Sequence, residues 1–196
     1  MGDLLDTRLR DILEQLGSED PIPGSGAAAA LTAALAASIV GMAARATPDW
    51  EGSAGAAAQA NMLQRRVGPL ADIDAAAYAE SLAAMRLPES LEPEVRNMAI
   101  RDTLALAAAV PLAIAEAAAD VALLAGDVAE KCDPAMRVDV VAAGHLAAGS
   151  ARAAAELVGV NLGVAPEDTR LQLARGLAET AAGAARKLGT FGTSAP

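Results

Sequence analysis

The sequence predicts an all-α bundle of about seven to nine long antiparallel helices in one domain spanning residues 1–196. Three observations carry that expectation. Apolar residues make up 54% of the chain and aromatics only 2%, and most of the apolar share is alanine, the strongest intrinsic helix former. Leucines and valines recur at helical spacing, while no segment alternates with the period of two that a strand requires. Prolines and glycines fall between the periodic runs, where they punctuate helices. Alanine buries little area per residue, so such helices must approach closely. The thin core also favours association with a second copy, and a homodimer is expected.

Residues 3–16 place Leu4, Leu5, Leu9, Ile12, Leu13 and Leu16 near helical spacing and end at Gly17-Ser18, giving a first amphipathic helix. The loop that follows, Glu19-Asp20-Pro21-Ile22-Pro23-Gly24-Ser25-Gly26, cannot be helical through its two prolines, and its glycines permit unusual backbone angles. Residues 25–45 form the second helix. Its stretch 26–44 is nearly uncharged and long enough to suggest a membrane span. Alanine dominates it, Thr32 and Ser38 interrupt it, and no aromatic belt flanks it, so a buried central helix is expected. Further helices are read at 53–66, closed by Gly68-Pro69, and at 70–85, closed by Leu87-Pro88. The next runs over 94–109 with a kink or break at Pro111, and helix resumes over 112–131. A long helix covers 136–160. Pro166 opens the last, which reaches residue 188 before a frayed tail from Gly189.

The net charge of −10 and a pI near 4.5 argue against nucleic acid or an anionic membrane as partner. The lone Cys132 makes no intrachain disulfide, and the first fifteen residues lack the apolar run of a secretion signal. A cytoplasmic protein is expected. One histidine and one cysteine make a conventional zinc site untenable, and no phosphate-binding or dinucleotide-binding fingerprint is present. No metal or redox cofactor is expected.

Gly24-Ser25-Gly26 before a helix has the form of an anion-binding turn, where free amides and the helix dipole point the same way; an ordinary glycine loop has the same form. The order of residues around it is more specific. Pro21-Ile22-Pro23-Gly24-Ser25-Gly26 and the small-residue helix after it resemble the Pro-x-Pro-Gly-Gly-Gly-Ser opening of the formiminotransferase-cyclodeaminase C-terminal domain family. Asp72-Ile73-Asp74-Ala75-Ala76-Ala77-Tyr78 resembles its Asp-x-x-x-Phe/Tyr stretch, and Ala84-Met85-Arg86-Leu87-Pro88 its Leu-Pro helix end. Val110-Pro111-Leu112, Arg137-Val138-Asp139-Val140 and Val160-Asn161-Leu162 are similar to its Val-Pro-Leu, Ser-Asp-Val and Ile-Asn-Leu elements, in order, across residues 18–162.

The resemblance implies an all-helical, dimeric enzyme that closes or opens the one-carbon bridge of tetrahydrofolate. It would act as a formiminotetrahydrofolate cyclodeaminase (an ammonia lyase) or a methenyltetrahydrofolate cyclohydrolase, with a reduced folate as substrate. Asp74 matches the family's catalytic aspartate. Among alanines, desolvation would raise its pKa and suit it to general acid/base work; a solvated acid of a helix's first turn is the plainer reading, and the one preferred for Asp72. Gly24, Ser25 and Gly26 match the glycine loop. Asp139 and Asn161 match positions that could hydrogen-bond a pterin, though Asp139 also suits a helix start and Asn161 a helix end. Arg86 and Arg45 could take the glutamate tail as bidentate carboxylate ligands, or stand as ordinary surface charges. His145 reads as a satisfied core or interface residue. Three departures stand out: Ser25 replaces the middle glycine, Cys132-Asp133 and Val138 replace Gly-Asn and the serine, and Leu157-Val158 replaces Asn-Val. A relative that binds folate without converting it, and a purely architectural helical protein, are the competing readings.

Overall fold

A computed structural model describes residues 3–88, 90–163 and 167–189. Among them are eight α-helices and no strand: α1 (Leu9–Leu16), α2 (Ser25–Arg45), α3 (Ser53–Val67), α4 (Leu70–Met85), α5 (Pro93–Ala107), α6 (Ala109–Ala129), α7 (Arg137–Asn161) and α8 (Thr169–Lys187). Single 3-10 turns at Leu4–Asp6 and Pro134–Met136 precede α1 and α7. The all-α expectation holds, and most helix bounds fall within two residues of those read from the sequence.

Two boundaries differ. The first helix is not continuous: Asp3 caps the 3-10 turn through the Leu5 amide, and the chain is extended at Thr7 and Arg8 before α1 begins. Leu4 is thereby turned inward and is fully buried, with its amide donating to both carboxylate oxygens of Asp72 at 3.1 Å. The break expected at Pro111 lies at Ala108 instead. Proline lacks an amide and crowds the carbonyl four residues back, here Ala107, so the helix parts one turn before the ring. Pro166 lies outside the described residues.

Helices α2, α6 and α7 make the centre. Twelve of the 21 residues of α2 are buried, among them Ala30, Ala33, Ala36, Ala37, Val40, Ala43 and Ala44. Both α2 and the 37-residue stretch through α5 and α6 are long and apolar enough to cross a bilayer, but α2 is mostly enclosed by its neighbours. Alanine and glycine let the backbones approach. A Cβ placed on Gly41 would come within 3.2 Å of the Ala60 Cβ, and one on Gly144 within 3.4 Å of the Ala125 Cβ. Two buried hydroxyls tie helices to their neighbours. The Ser150 hydroxyl donates to the Ala29 carbonyl at 2.7 Å, and Thr47 accepts from the Asp133 amide at 3.0 Å while donating to the Ala43 carbonyl. These two ties fix α7 antiparallel to α2, so the end of α7 stands beside the start of α2. A smaller cluster under α8, built on Ala108, Val158, Leu162, Leu171 and Ala174, packs the junction of α5 and α6 against the end of α7 and against α8.

Candidate active site

Asp74 lies on the second turn of α4, facing the start of α2. Its carboxylate rests so close to the α-carbon of Gly26 that a Cβ there would overlap it. Gly26 and Gly24 have negative φ or helical geometry, and Gly189 is the one described residue with positive φ. The glycines of this loop therefore do not serve unusual backbone angles, as the sequence suggests. Gly26 is required because a carboxylate occupies the space its side chain would fill.

The position explains the electrostatics. Burial among apolar helix faces pushes the Asp74 carboxyl above the usual carboxylate range, and the Ala27 amide opposes part of that rise. Ser25, Gly26 and Ala27 are the first residues of α2, whose leading amides have no intrahelical carbonyl to bind, so the carboxylate sits at the positive end of a helix dipole. Asp74 is thus held where it can carry a proton yet still be ionised, the requirement for a group that both donates and accepts.

A cavity of about 280 Å³ opens beside it. Pro21, Gly24, Ser25 and Gly26 form one wall and Asp74, Ala77 and Tyr78 another; Ala107 at the end of α5 and Leu157, Val160 and Asn161 at the end of α7 close the rest. Five of the residues singled out in the sequence, Gly24, Ser25, Gly26, Asp74 and Asn161, therefore meet at one place although up to 137 positions separate them (161 − 24). The volume is at the small end for ligand pockets and admits a ring system rather than a whole extended ligand. A larger groove of about 620 Å³ runs between α7 and α8 past Arg152, Arg175 and Arg186, but its acids, Glu156 and Glu179, are exposed.

Three candidates are not brought there. Asp139 is exposed in the first turn of α7, 22 residues before Asn161, which at helical rise is roughly 33 Å away, so one chain cannot place both on one small ligand. Arg86 caps the far end of α4 and lines a neighbouring depression with Glu19, Asp20 and Ile22 that shares only Pro21 with the cavity. Arg45 folds back over Gly41. His145 is exposed, and burial raises the Cys132 thiol, as befits an unreactive cysteine. Asp72 serves structure by holding Leu4. Tyr78 and Leu157, which the sequence marked only as a motif aromatic and as a replacement for asparagine, also line it. The signal for Tyr78 is its spacing, since a residue four after Asp74 shares its helix face.

The family described as Formiminotransferase-cyclodeaminase matches residues 8–178 of this chain. Mouse formimidoyltransferase-cyclodeaminase is 34% identical over 125 residues, covering 58% of this chain and 23% of that protein. The pig protein is 33% identical over 132 residues, with 59% and 23% covered, so the chain matches under a quarter of the length of these relatives. The crystal structure of formiminotetrahydrofolate cyclodeaminase from Thermotoga maritima superposes with a TM-score of 0.83 over 94% of each chain at 18% identity, a likeness of fold. With the match running from α1 into α8, the chain belongs to the formiminotransferase-cyclodeaminase family.

Proposed function

We propose that this protein is an enzyme of folate one-carbon chemistry that opens or closes the one-carbon bridge of a tetrahydrofolate, with Asp74 as its general acid/base. The observation that carries the reading is the Asp74 carboxyl itself: desolvated, raised in pKa, seated at the amide end of α2 and open to a cavity that fits a bicyclic ring. In the hydrolytic direction, water adding to the bridge carbon gives a proton to Asp74, which returns it to the ring nitrogen as the carbon–nitrogen bond breaks and the hydroxyl proton leaves to solvent, giving the formyl carbonyl. In the deaminating direction, the second folate nitrogen attacks the formimino carbon and loses its proton to Asp74, which passes it to the amino group as ammonia departs. Each route leaves the carboxyl as it began. Asn161 and the free amides of the α2 start would orient the ring, and the rest of the substrate would extend past Pro21 towards Arg86.

A second reading has one observation in its favour. Leu157 presents an apolar side chain to the cavity, where the resemblance expects asparagine, which suits a protein that binds folate without converting it. Mixing the protein with methenyltetrahydrofolate and following its near-ultraviolet absorbance separates the two. Accelerated loss that vanishes in Asp74→Asn supports the hydrolase, and release of ammonia from formiminotetrahydrofolate supports the deaminase. Stoichiometric folate binding with neither reaction would overturn the catalytic reading.

A further inference from the structure

Helix α7 gives the cavity three side chains, Leu157, Val160 and Asn161, and its register with α2 sets their heights. The Ser150 hydroxyl binds the Ala29 carbonyl and the two helices run antiparallel, so Ala153 stands level with Gly26 and with the Asp74 carboxylate lodged against it. Leu157 lies four residues beyond that level (157 − 153) and Asn161 eight (161 − 153), roughly 6 and 12 Å along the axis at helical rise. The α7 side chain nearest in height to the carboxylate is therefore leucine, and the amide is a full turn farther away. With Ala107 at the end of α5 and Val160, Leu157 makes the wall of this end apolar. Ser25, on the α2 wall, is exposed to solvent.

This gradient orients a reduced pterin. The amino-pyrimidine edge of the ring carries donors and acceptors together, and Asn161, which offers both, is their match. The bridge nitrogen sits at the opposite end of the bicycle, and the offset between Leu157 and Asn161 is comparable with the span of such a ring. With the amino-pyrimidine at Asn161, the one-carbon bridge falls at the height of Leu157, beside Asp74.

We propose that the bridge carbon reacts between Asp74 and Leu157, and that Leu157 is a specificity-determining residue that favours the hydrolytic reaction over the release of ammonia. The proposal rests on the folate reading made above and deepens it. Both routes pass through a bridge carbon bonded to the two folate nitrogens. In hydrolysis that carbon also carries a hydroxyl with one hydrogen, which the ionised Asp74 can accept before it passes to solvent. In deamination it carries an amino group, which gains the proton that Asp74 took from the attacking nitrogen and leaves with the bonding pair as ammonia. The departing group then has three N–H donors. Asp74 accepts from one, and Leu157, on the wall at the same height, accepts from none. A donor left without an acceptor in a desolvated site slows its own route by about tenfold and leaves the other untouched.

Paired kinetics test this, with kcat and KM measured on methenyltetrahydrofolate and on formiminotetrahydrofolate. The wild-type protein is expected to hydrolyse the first with a kcat/KM at least about tenfold above that for deamination of the second. Leu157→Asn keeps leucine's branching and adds an acceptor, and is expected to raise the ratio of deamination to hydrolysis about tenfold with helical circular dichroism kept. Leu157→Ala adds no acceptor and should keep the wild-type ratio, whatever it does to the two rates. Asn161→Ala should raise KM for both substrates alike. A wild-type protein that turns over neither substrate overturns the folate reading, and the proposal with it. A wild-type protein that deaminates faster than it hydrolyses overturns the role of Leu157 alone, as does a ratio that Leu157→Asn leaves unmoved. A ratio shifted by Asn161→Ala in place of Leu157→Asn overturns the orientation.

Discussion

Helices α5 and α6 are separated by a single residue, Ala108, yet they sit in different physical worlds. Twelve of the 21 residues of α6 are buried, whereas Ala107 is the one buried residue among the fifteen of α5. Their composition does not account for this. Helix α5 carries Val95, Met98, Ile100, Leu104 and Leu106, bulkier than the alanines of α6, but Val95 and Met98 are half exposed and Leu106 is 74% exposed. Apolar content makes a helix eligible for a core; neighbours on enough sides put it there. Helix α6 has α2, α3, α7 and α8 around it, while α5 leans mainly on α4. The cavity lies on the seam between the two regimes, with Ala107 in its wall and the alanine core behind it.

The comparison is easiest to break with matched substitutions. Ala117→Leu, placed where α6 has no free volume, is expected to destabilise by about 3 kcal/mol, read by denaturant unfolding; a shift below 1 kcal/mol would mean that the core is not close-packed. Native-state hydrogen exchange should rank the two helices in the same way, with amides in the middle of α5 exchanging at least about a hundredfold faster than those in the middle of α6. Equal protection would show that α5 is covered by something else, a second copy included. Gly26→Ala probes the seam itself. Alanine would ordinarily stabilise a helix, but here its Cβ needs the space of the Asp74 carboxylate, so a loss of about 2 kcal/mol is expected together with loss of turnover.

Asp74→Asn gives a smaller and pH-dependent effect. The folded state raises this carboxyl above its unfolded value, so the ionised form weighs against folding, fully so once pH exceeds the folded pKa. The variant is expected to melt a few degrees higher than the wild type at neutral pH, by about 2–4 °C. That gap should close as pH falls through the raised pKa towards the ordinary carboxylate value; a gap independent of pH would separate the stability change from the proton. Smallest of all, Leu106→Ala on α5 should stay within about 0.5 kcal/mol of the wild type.

The helices were legible because their boundaries are chemical and local. Pro69 and Pro88 flank α4, and Gly24 precedes α2. The first helix was over-joined for the same reason, since neither Thr7 nor Arg8 is a breaker and the break there serves to bury Leu4 against α4. Burial was not legible at α5, where the pattern of apolar residues is helical but the partner it implies is missing from the chain. At the site, Gly24, Gly26, Asp74 and Asn161, grouped by motif order, line one cavity, but that order could not say why Gly26 is glycine. That reason is a contact between residues 48 positions apart (74 − 26), with no trace in either local pattern. Asp139 was grouped with them because motif order carries no information about distance along α7.

The overlap between Gly26 and Asp74 also constrains how this lineage can change. Any nucleotide change that replaces glycine at position 26 adds a β-carbon, because every other amino acid has one, and that atom meets the carboxylate. A variant at 26 becomes tolerable only after Asp74 has shortened or turned away. Descendants that keep the acid in this placement must therefore keep the glycine, while those that lose or redirect it are released from it. The pair works as a one-way genetic gate: a drifting residue 26 in a descendant sequence would record that its chemistry had already been abandoned.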